Sequence, residues 1–398
     1  MIRILVSRFL NYFRNSLRSV QTARYVVKIS RMRRLQGPPN FDLSQLRVAV
    51  QEFVDGLRAD ESGCHYRYAA SCRVATLYAS AYACMTYSLL GVLVKLGTAQ
   101  KKRWLEYFDS FQSQADGLFY DSATTNEIFP DTDWWGARHL ALHMINAYTD
   151  LGERPRYPFK FLSPYYDVDV IRGWLDAQEW DTNTIGLGDL DNRIMNIGCL
   201  LQFQRDQWVD AAAGDAVEYL KGYLLQKINP ATGLWGGFNV DDPGQRSRMV
   251  QFAYHLFPLY FYDGFFGFDH ERIVELVLRT QNPLGGFGVA PNSSACEDID
   301  SIDILIRLAP RVSEQRGKEI EIALVKAWQW VLCNQGADGG FVFRLFEPFA
   351  YGHEATSSAK NEGAMLPTWF RTLSLVYLSR HFSASHSMLI TRCPGYEF

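Results

Sequence analysis

Four carboxylates crowd one short stretch of the chain, residues 285–305, which reads GGFGVAPNSSACEDIDSIDIL. Glu297 or Asp298 could cap a helix, because acidic side chains suit the positive end of the helix dipole. Asp300 and Asp303 continue into an apolar helical pattern and share one face of it. Charge repulsion and burial both raise the pKa of a carboxyl group, which then keeps its proton at neutral pH. We therefore predict a catalytic acid among Asp298, Asp300 and Asp303, with capping, salt bridges and substrate hydrogen bonding as alternatives.

A second group of chemically capable side chains lies in the stretch FPDTDWWGARH. Asp131 or Asp133 could serve as an acid there. Trp134 and Trp135 could stack on sugar rings while Arg138 binds a substrate carboxylate, as a carbohydrate-active enzyme requires. The alternative is structural, with the two tryptophans packed inside the fold and one aspartate capping a helix.

A repeated turn would position these residues. Gly-rich turns are each followed by an apolar helical run and preceded by a more polar, amphipathic one. Such alternation over roughly 50 residues is typical of stacked helix pairs. We predict an all-α (α/α)6 toroid, a double ring of helices, over residues 42–385. The turns are ESGCHYRY at 61, DGLFYD at 116, TIGLGD at 184, TGLWGGF at 232, LGGFG at 284 and ADGGF at 337.

In such a ring, each turn brings the start of an inner helix to the same mouth. A mouth lined by carboxylates, arginines and tryptophans is a plausible binding site. Histidines on apolar helices have the alternative of being satisfied core residues. The residues that we expect to bind substrate are Asp131, Asp133, Trp134, Trp135, Arg138, His139, Asp191, Phe252, His255 and Trp369.

The stretches GGFG at 285, TGLWGGF at 232 and CNQGADGGF at 333 resemble repeats of the prenyltransferase and squalene-cyclase superfamily. Within it, class II terpene cyclases carry an Asp-x-Asp-Asp motif at an inner-helix start, where the middle aspartate protonates the substrate. The resemblance therefore implies that Asp300 is the proton donor and that Asp298 is its hydrogen-bonding helper. Here Ser301 replaces the last aspartate, and Ile302-Asp303 stands where the family usually has Thr-Ala.

The resemblance implies an isoprenoid or another apolar small molecule as the substrate. Those cyclases usually enclose substrate between two helical domains, whereas this chain is long enough for one. A homo-oligomer or a second helical subunit could supply the other. The protein prenyltransferases of the same superfamily hold zinc with an Asp/Cys/His site. This sequence has no matching Asp-x-Cys and His arrangement, so we expect no metal and no cofactor.

The N-terminal segment has a different composition from the rest. Residues 1–41 hold nine arginines and lysines and no acid, whereas the whole chain has net charge −3. Apolar residues recur there at spacings of three and four, which predicts a basic amphipathic helix able to lie on an anionic membrane. A transit peptide, a clamp on the acidic body and a partner-docking helix are the alternatives. The apolar positions are Ile2, Leu5, Phe9, Phe13, Leu17 and Val20.

No apolar run is long enough to span a bilayer, and the acidic body excludes nucleic-acid binding. The seven cysteines form no CxxC pair and are expected to be reduced, buried thiols of a reducing compartment. We expect a cytoplasmic protein that is peripheral to a membrane through residues 1–35. Its parts would be the N-terminal segment 1–41, the toroid 42–385 and a tail, 386–398, that forms an extra strap.

The features together predict a protonation-initiated cyclisation of an isoprenoid at a membrane surface. Phe, Tyr and Trp rings would stabilise the carbocation. A carbohydrate-active enzyme of the same fold class, such as a glycoside hydrolase, lyase or epimerase, is one alternative. A non-catalytic, membrane-docked binding ring is the other.

Overall fold

The computed structural model describes residues 17–31, 38, 42–124, 133–183, 190–383 and 388–396. These residues are mostly helical, with 3-10 turns at Leu93–Lys95, Lys160–Tyr166 and Ala309–Arg311. The helices of the described residues are α1 (17–31), α2 (Ser44–Gly56), α3 (Leu77–Leu89), α4 (Thr98–Asp109), α5 (Ala137–Leu151), α6 (Val168–Asp176), α7 (Leu190–Trp208), α8 (Ala211–Gln226), α9 (Pro243–Phe261), α10 (His270–Leu278), α11 (Ala295–Leu308), α12 (Glu314–Cys333) and α13 (Met365–His381).

Six of the described helices form a closed inner ring. Helices α3, α5, α7, α9, α11 and α13 each pack against the next, and α13 packs against α3 to complete the circle. These helices are apolar almost all round; every residue of α3, for example, is buried. The even-numbered helices are amphipathic, and α2 buries only Leu46, Val50, Phe53 and Val54. The predicted (α/α)6 toroid is confirmed.

Glycines make the tight turns between outer and inner helices. Gly117 has φ +84°, and a Cβ placed on it would lie 2.2 Å from the carbonyl oxygen of Pro158. Gly339 has φ +88°, and its Cβ would lie 2.4 Å from the carbonyl oxygen of Ala49. Both positions therefore require glycine, for its left-handed backbone and for its missing side chain. The repeated turn in the sequence reflects this requirement.

Short antiparallel strands accompany the helices in the part of the chain that the structure describes. The described residues include the short antiparallel pair β1 (Ile228–Asn229) and β2 (Leu234–Trp235). A longer hairpin joins β3 (Phe349–Tyr351) to β4 (His353–Ser358) with an irregular register. This hairpin comes just before α13 and contacts α3 and α5. The hydroxyl of Tyr82 donates to that of Tyr351 at 3.1 Å, and the Tyr351 hydroxyl lies 3.3 Å from Nδ1 of His139. The hairpin covers one side of the mouth.

The C-terminal segment 388–396 crosses the opposite end of the ring. The backbone N–H of Leu389 donates to the carbonyl of Leu89 at the end of α3, at 2.9 Å. Arg392 donates to the carbonyl of Tyr262 just after α9, at 2.6 Å. Tyr396 then enters the ring, and the hydroxyl of Tyr377 donates to its carbonyl oxygen. The C-terminal segment therefore covers part of this end of the ring.

Helix α1 packs against the body through one face, on which Thr22 is fully buried and Tyr25 and Val26 contact the core. Residues 1–16 of the predicted basic segment lie outside the described residues, so the membrane prediction for this segment stays a prediction. Within the described ranges, no helix has the length and apolarity needed to cross a bilayer. All seven cysteines are free, and all but Cys296 are buried.

Candidate functional site

An ion-paired cluster lies where α7 and α9 face each other. Arg248 binds both carboxylate oxygens of Asp191, at 2.9 and 2.8 Å, and Nδ1 of His255 lies 2.8 Å from the same carboxylate. The Asp191 side chain is completely buried. Burial alone would raise its pKa, but the charges and hydrogen bonds of His255 and Arg248 together lower it. Asp191 is therefore ionised at neutral pH.

Asp300 lies on the neighbouring helix α11 and has the opposite character. It is only 3% exposed, and it has no hydrogen-bond or ion-pair partner among the described residues. Burial raises the pKa of this carboxyl well above its usual value; the nearby acids Glu297, Asp191 and Asp298 raise it further, while Arg248 lowers it. The raised pKa favours the protonated form of Asp300, whereas the lowered pKa of Asp191 favours its carboxylate.

Asp298 anchors the start of α11. Its Oδ1 accepts hydrogen bonds from the backbone N–H of Phe287 at 2.9 Å and from the hydroxyl of Ser293 at 2.8 Å. Its Oδ2 accepts from Trp330 Nε1 and from Arg371 Nη1, both at 2.8 Å. Four donors saturate the two oxygens. Asp298 therefore holds the acidic helix in place.

This geometry corrects one expectation. Asp298 was expected to be a hydrogen-bonding helper of Asp300, but its oxygens face the four donors and none of its hydrogen bonds involves Asp300. Its influence on the proton donor is indirect, through its charge and through the position of the helix.

The other two acids of the cluster are paired. Ser294 caps α11, and Glu297 completes the capping box by accepting from the Ser294 N–H at 2.7 Å. Asp303 lies one turn beyond Asp300 and forms a buried 2.7 Å ion pair with Arg307. Burial raises the pKa of Asp303, and Arg307 opposes the rise. Capping and salt bridges thus account for Glu297 and Asp303, which leaves Asp300 as the acid of this stretch without a partner.

A histidine–tyrosine group forms the adjoining wall. The Tyr78 hydroxyl lies 3.2 Å and the Tyr351 hydroxyl 3.3 Å from Nδ1 of His139. Burial lowers the pKa of His139 to about 3, and His255 adds to the effect. Deeper on α5, neither ring nitrogen of buried His143 has a hydrogen-bond partner among the described residues. Both α5 histidines are therefore neutral.

Aromatic rings line the ring interior beneath this wall. Trp369 stacks on Tyr82 with centroids 5.4 Å apart and meets Tyr396 edge-on at 5.2 Å. Tyr396 stacks on His143 at 5.4 Å. Burial raises the pKa of Tyr396 well above its usual value, and the nearby thiol of Cys296 and carboxyl of Asp300 add to the rise. Tyr396 therefore forms part of the surroundings of Asp300.

The second predicted group is only partly assembled as expected. Asp131 lies outside the described residues. Arg138 forms a 2.7 Å ion pair with Asp133, so it neutralises a carboxylate of this chain. Trp135 is buried and stacks on Tyr78 and His353, which favours the structural alternative for this residue. Trp134 is half-buried and meets Tyr351 edge-on.

The remaining predicted residues lie on the inner ring. Phe252 is buried under the guanidinium of Arg248, 5.9 Å from its ring centroid, and Trp369 is completely buried. Sequence reasoning missed Tyr351 and Tyr396, because neither belongs to a Gly turn or to an inner helix. It also missed Tyr78 and Tyr82, although their four-residue spacing on α3 was a usable signal. In the part of the chain that the structure describes, no cluster of His, Cys, Asp and Glu could hold a metal ion.

No family model matches the sequence, and no curated protein matches it. An α-1,6-mannanase from Salegentibacter sp. is similar in structure, with a TM-score of 0.45 at 10% identity over 86% of this chain and 100% of that one. A type II terpene cyclase from Scytonema, in complex with merosterolic acid A, has a TM-score of 0.46 at 15% identity over 85% and 97%. A polysaccharide lyase has a TM-score of 0.44 at 11% identity over 86% and 99%. These scores are low, so the toroid assignment rests on the helix contacts of this chain.

Proposed function

We propose that the chain is an acid-catalysed cyclase of the class II terpene cyclase type, with Asp300 as the proton donor. One observation carries the proposal: Asp300 is buried on α11 and has no partner among the described residues, and burial there raises its pKa well above the usual value. A carboxylic acid whose ionisation is disfavoured in this way can give its proton to a weakly basic alkene.

The reaction follows from the surroundings of Asp300. The π electrons of a substrate double bond form a C–H bond with the Asp300 proton, which leaves a tertiary carbocation and a carboxylate. Internal double bonds then attack the cation and form rings, and loss of a proton gives a product isomeric with the substrate. Tyr396 and Tyr254 are near enough to Asp300 for its charge to affect their pKa values, and such ring faces stabilise a cation.

The charged neighbours control the acid. Arg248 stabilises the carboxylate that remains after proton transfer, while Asp191 opposes ionisation before it. Because Arg248 is held on both of its terminal nitrogens by Asp191, its distance from Asp300 is fixed. Asp298 positions α11 through its four hydrogen bonds.

The test is a comparison of wild type with Asp300→Asn on squalene, prenyl diphosphates and total membrane lipid, read by mass spectrometry. We expect wild type to give a product of unchanged mass and Asp300→Asn to give none. Asp303→Asn is the matched control, because it changes a buried acid on the same helix that is paired with Arg307. A folded Asp300→Asn protein with full activity would exclude this residue as the acid.

One observation favours a second candidate, a carbohydrate-active enzyme. Asp191 and Asp300 lie near one another on α7 and α11 with pKa values shifted in opposite directions, which is the pattern of an acid and a base in glycoside hydrolysis. The half-buried Trp134 could contact a sugar. An oligosaccharide panel distinguishes the two candidates: glycoside hydrolysis would release shorter sugars and would need both carboxyls. A ring that only binds ligands would convert neither the lipids nor the oligosaccharides into products.

A further inference from the structure

Helix α1 presents an exposed face of unusual composition. Its inward side is fixed to the body at three points: Tyr25 against Phe346 at 5.3 Å, Arg18 with Glu347 at 3.6 Å, and Ser30 beside Cys333 at 3.6 Å. The opposite side points to solvent. Leu17, Val20, Arg24, Val27 and Arg31 are spaced three or four apart, and Lys28 lies four residues after Arg24. They therefore share one face, called here the outward face of α1.

Three large aliphatic side chains on this face are left in water. Leu17 is 56% exposed, Val20 50% and Val27 49%. The sequence pattern places Leu17 and Val20 on an apolar stripe, and such a stripe normally packs against the core. Here the buried positions are Thr22, Tyr25 and Val26 instead. The apolar side of the helix is therefore available to another surface.

The positively charged side chains between these aliphatic residues are also exposed to solvent. Arg24, Lys28 and Arg31 are exposed and have no ion-pair partner among the described residues. Fixed positive charges beside exposed aliphatic groups match an anionic bilayer, which accepts the charges at its headgroups and the aliphatic groups between them. An acidic protein or a nucleic acid would satisfy the charges but would give no comparable environment to Leu17, Val20 and Val27.

The contacts of α1 show where it lies relative to the mouth of the ring. Phe346 and Glu347 belong to the segment that leads from α12 to the hairpin on the mouth side. The same segment is bonded to the start of α11, since the N–H of Ala295 donates to the carbonyl of Phe343 at 3.1 Å and Asn292 donates to that of Leu345 at 2.7 Å. The helix therefore lies beside the mouth, near the helix that carries Asp300.

We propose that the outward face of α1 binds an anionic lipid bilayer and turns the mouth of the ring towards it. This binding is independent of the chemistry at Asp300, and it would shorten the path of an apolar substrate from the bilayer to the acid.

The experiment is flotation of the full chain with vesicles of phosphatidylcholine, alone or mixed with phosphatidylglycerol. Wild type should float with the mixed vesicles only. The triple variant Arg24→Glu/Lys28→Glu/Arg31→Glu should bind them at least about tenfold more weakly. The control reverses the same number of exposed charges elsewhere, in Lys95→Glu/Lys102→Glu/Arg272→Glu, and should bind as wild type does.

A second variant, Leu17→Ser/Val20→Ser/Val27→Ser, should also weaken binding, because the aliphatic groups would no longer enter the bilayer. Circular dichroism confirms that each variant is folded. The proposal is overturned if wild type does not bind the mixed vesicles or if the control variant binds as weakly as the α1 variant. It is also overturned if sedimentation shows that wild type is a dimer and that the α1 changes abolish the dimer, because the outward face would then bind a second copy of the chain. Asp300→Asn should float as wild type does, so this proposal and the proposed function fail separately.

Discussion

Asp298 and Arg371 form a 2.8 Å ion pair in which neither side chain is more than 1% exposed. The pair joins α11 to α13, and the remaining donors of Arg371 reach backbone carbonyls, including that of Val342 at 3.1 Å. Burial lowers the pKa of Arg371, and Asp298 opposes this effect. A buried pair with all its hydrogen bonds satisfied fixes geometry, and the geometry fixed here is that of the helix carrying Asp300.

Removing one partner of this pair should be severe. Arg371→Met leaves the Asp298 carboxylate buried without its counter-charge, so we expect a loss of about 3–5 kcal/mol in the free energy of unfolding. Urea titration followed by circular dichroism measures it. The double variant Asp298→Asn/Arg371→Met should lose less than the sum of the single changes, because it leaves no isolated charge.

The exposed pair of Glu314 and Lys318, with side chains 85% and 72% exposed, is the matched control. Lys318→Met should cost no more than about 1 kcal/mol. Equal losses for Lys318→Met and Arg371→Met would show that burial of the Asp298 pair does not matter.

His139 should make the fold sensitive to acid. Its pKa is lowered to about 3 in the folded chain, whereas an unfolded histidine titrates near 6.5. Below about pH 6.5 the histidine of the unfolded chain binds a proton, whereas His139 of the folded chain stays neutral. The free energy of unfolding therefore falls as the pH falls from about 6.5 towards 3. At about pH 4 this single residue should account for on the order of 3 kcal/mol.

His139→Gln removes the titration and keeps a polar side chain near Tyr78 and Tyr351. Urea titrations at about pH 7 and pH 4 should show a smaller loss for the variant than for wild type. Parallel losses in the two proteins would mean that His139 is protonated inside the fold.

Gly352 holds the hairpin close to Trp135. It has φ +70°, and a Cβ on it would lie 2.2 Å from Cγ of that indole. Gly152→Ala is a control for backbone strain alone, since Gly152 has φ +81° and open space around it. We expect Gly352→Ala to be more destabilising than Gly152→Ala by about 1–3 kcal/mol, because the indole must also move. Thermal unfolding measures the difference, and equal melting temperatures would argue against the contact.

Tyr396 should limit the depth of the ring interior. Tyr396→Ala removes a ring packed on His143 and Trp369 and should cost about 3–5 kcal/mol. On the proposed function, a Tyr396→Ala variant that stays folded should accept longer apolar substrates, read by mass spectrometry of the products. Tyr396→Phe keeps the ring and should bind the same ligands as wild type. If a folded Tyr396→Ala protein accepts the same ligands as wild type, a residue other than Tyr396 limits the depth of the ring interior.

The fold was predictable because its signals are local. The turns at Gly117 and Gly339 require glycine for backbone reasons, and the described inner helices are largely buried, as α3 is along its whole length. Those two patterns give the repeat and therefore the ring. The β3–β4 hairpin was not predictable, because His353–Ser358 is mostly polar and its stability comes from contacts with Trp135 and Tyr82.

The site was predictable in its components but not in its pairing. The sequence identified Asp298, Asp300 and Asp303, but it could not say which of them has no partner. That distinction depends on Arg371, which is distant in sequence, and on Arg307, which lies on the same helix. The Asp191–Arg248–His255 cluster likewise joins residues more than 50 positions apart.

The contact between α3 and α13 separates this molecule from open arrays of helix pairs. An open array can gain or lose a repeat during evolution, because each unit needs only its neighbours. In the closed ring, α3 and α13 meet directly, and the N–H of Met365 donates to the carbonyl of Tyr68 at 2.9 Å. Deleting one helix pair would leave two inner faces unmatched. Closure therefore ties the number of repeats to the geometry of the whole ring, a constraint that an open array does not have.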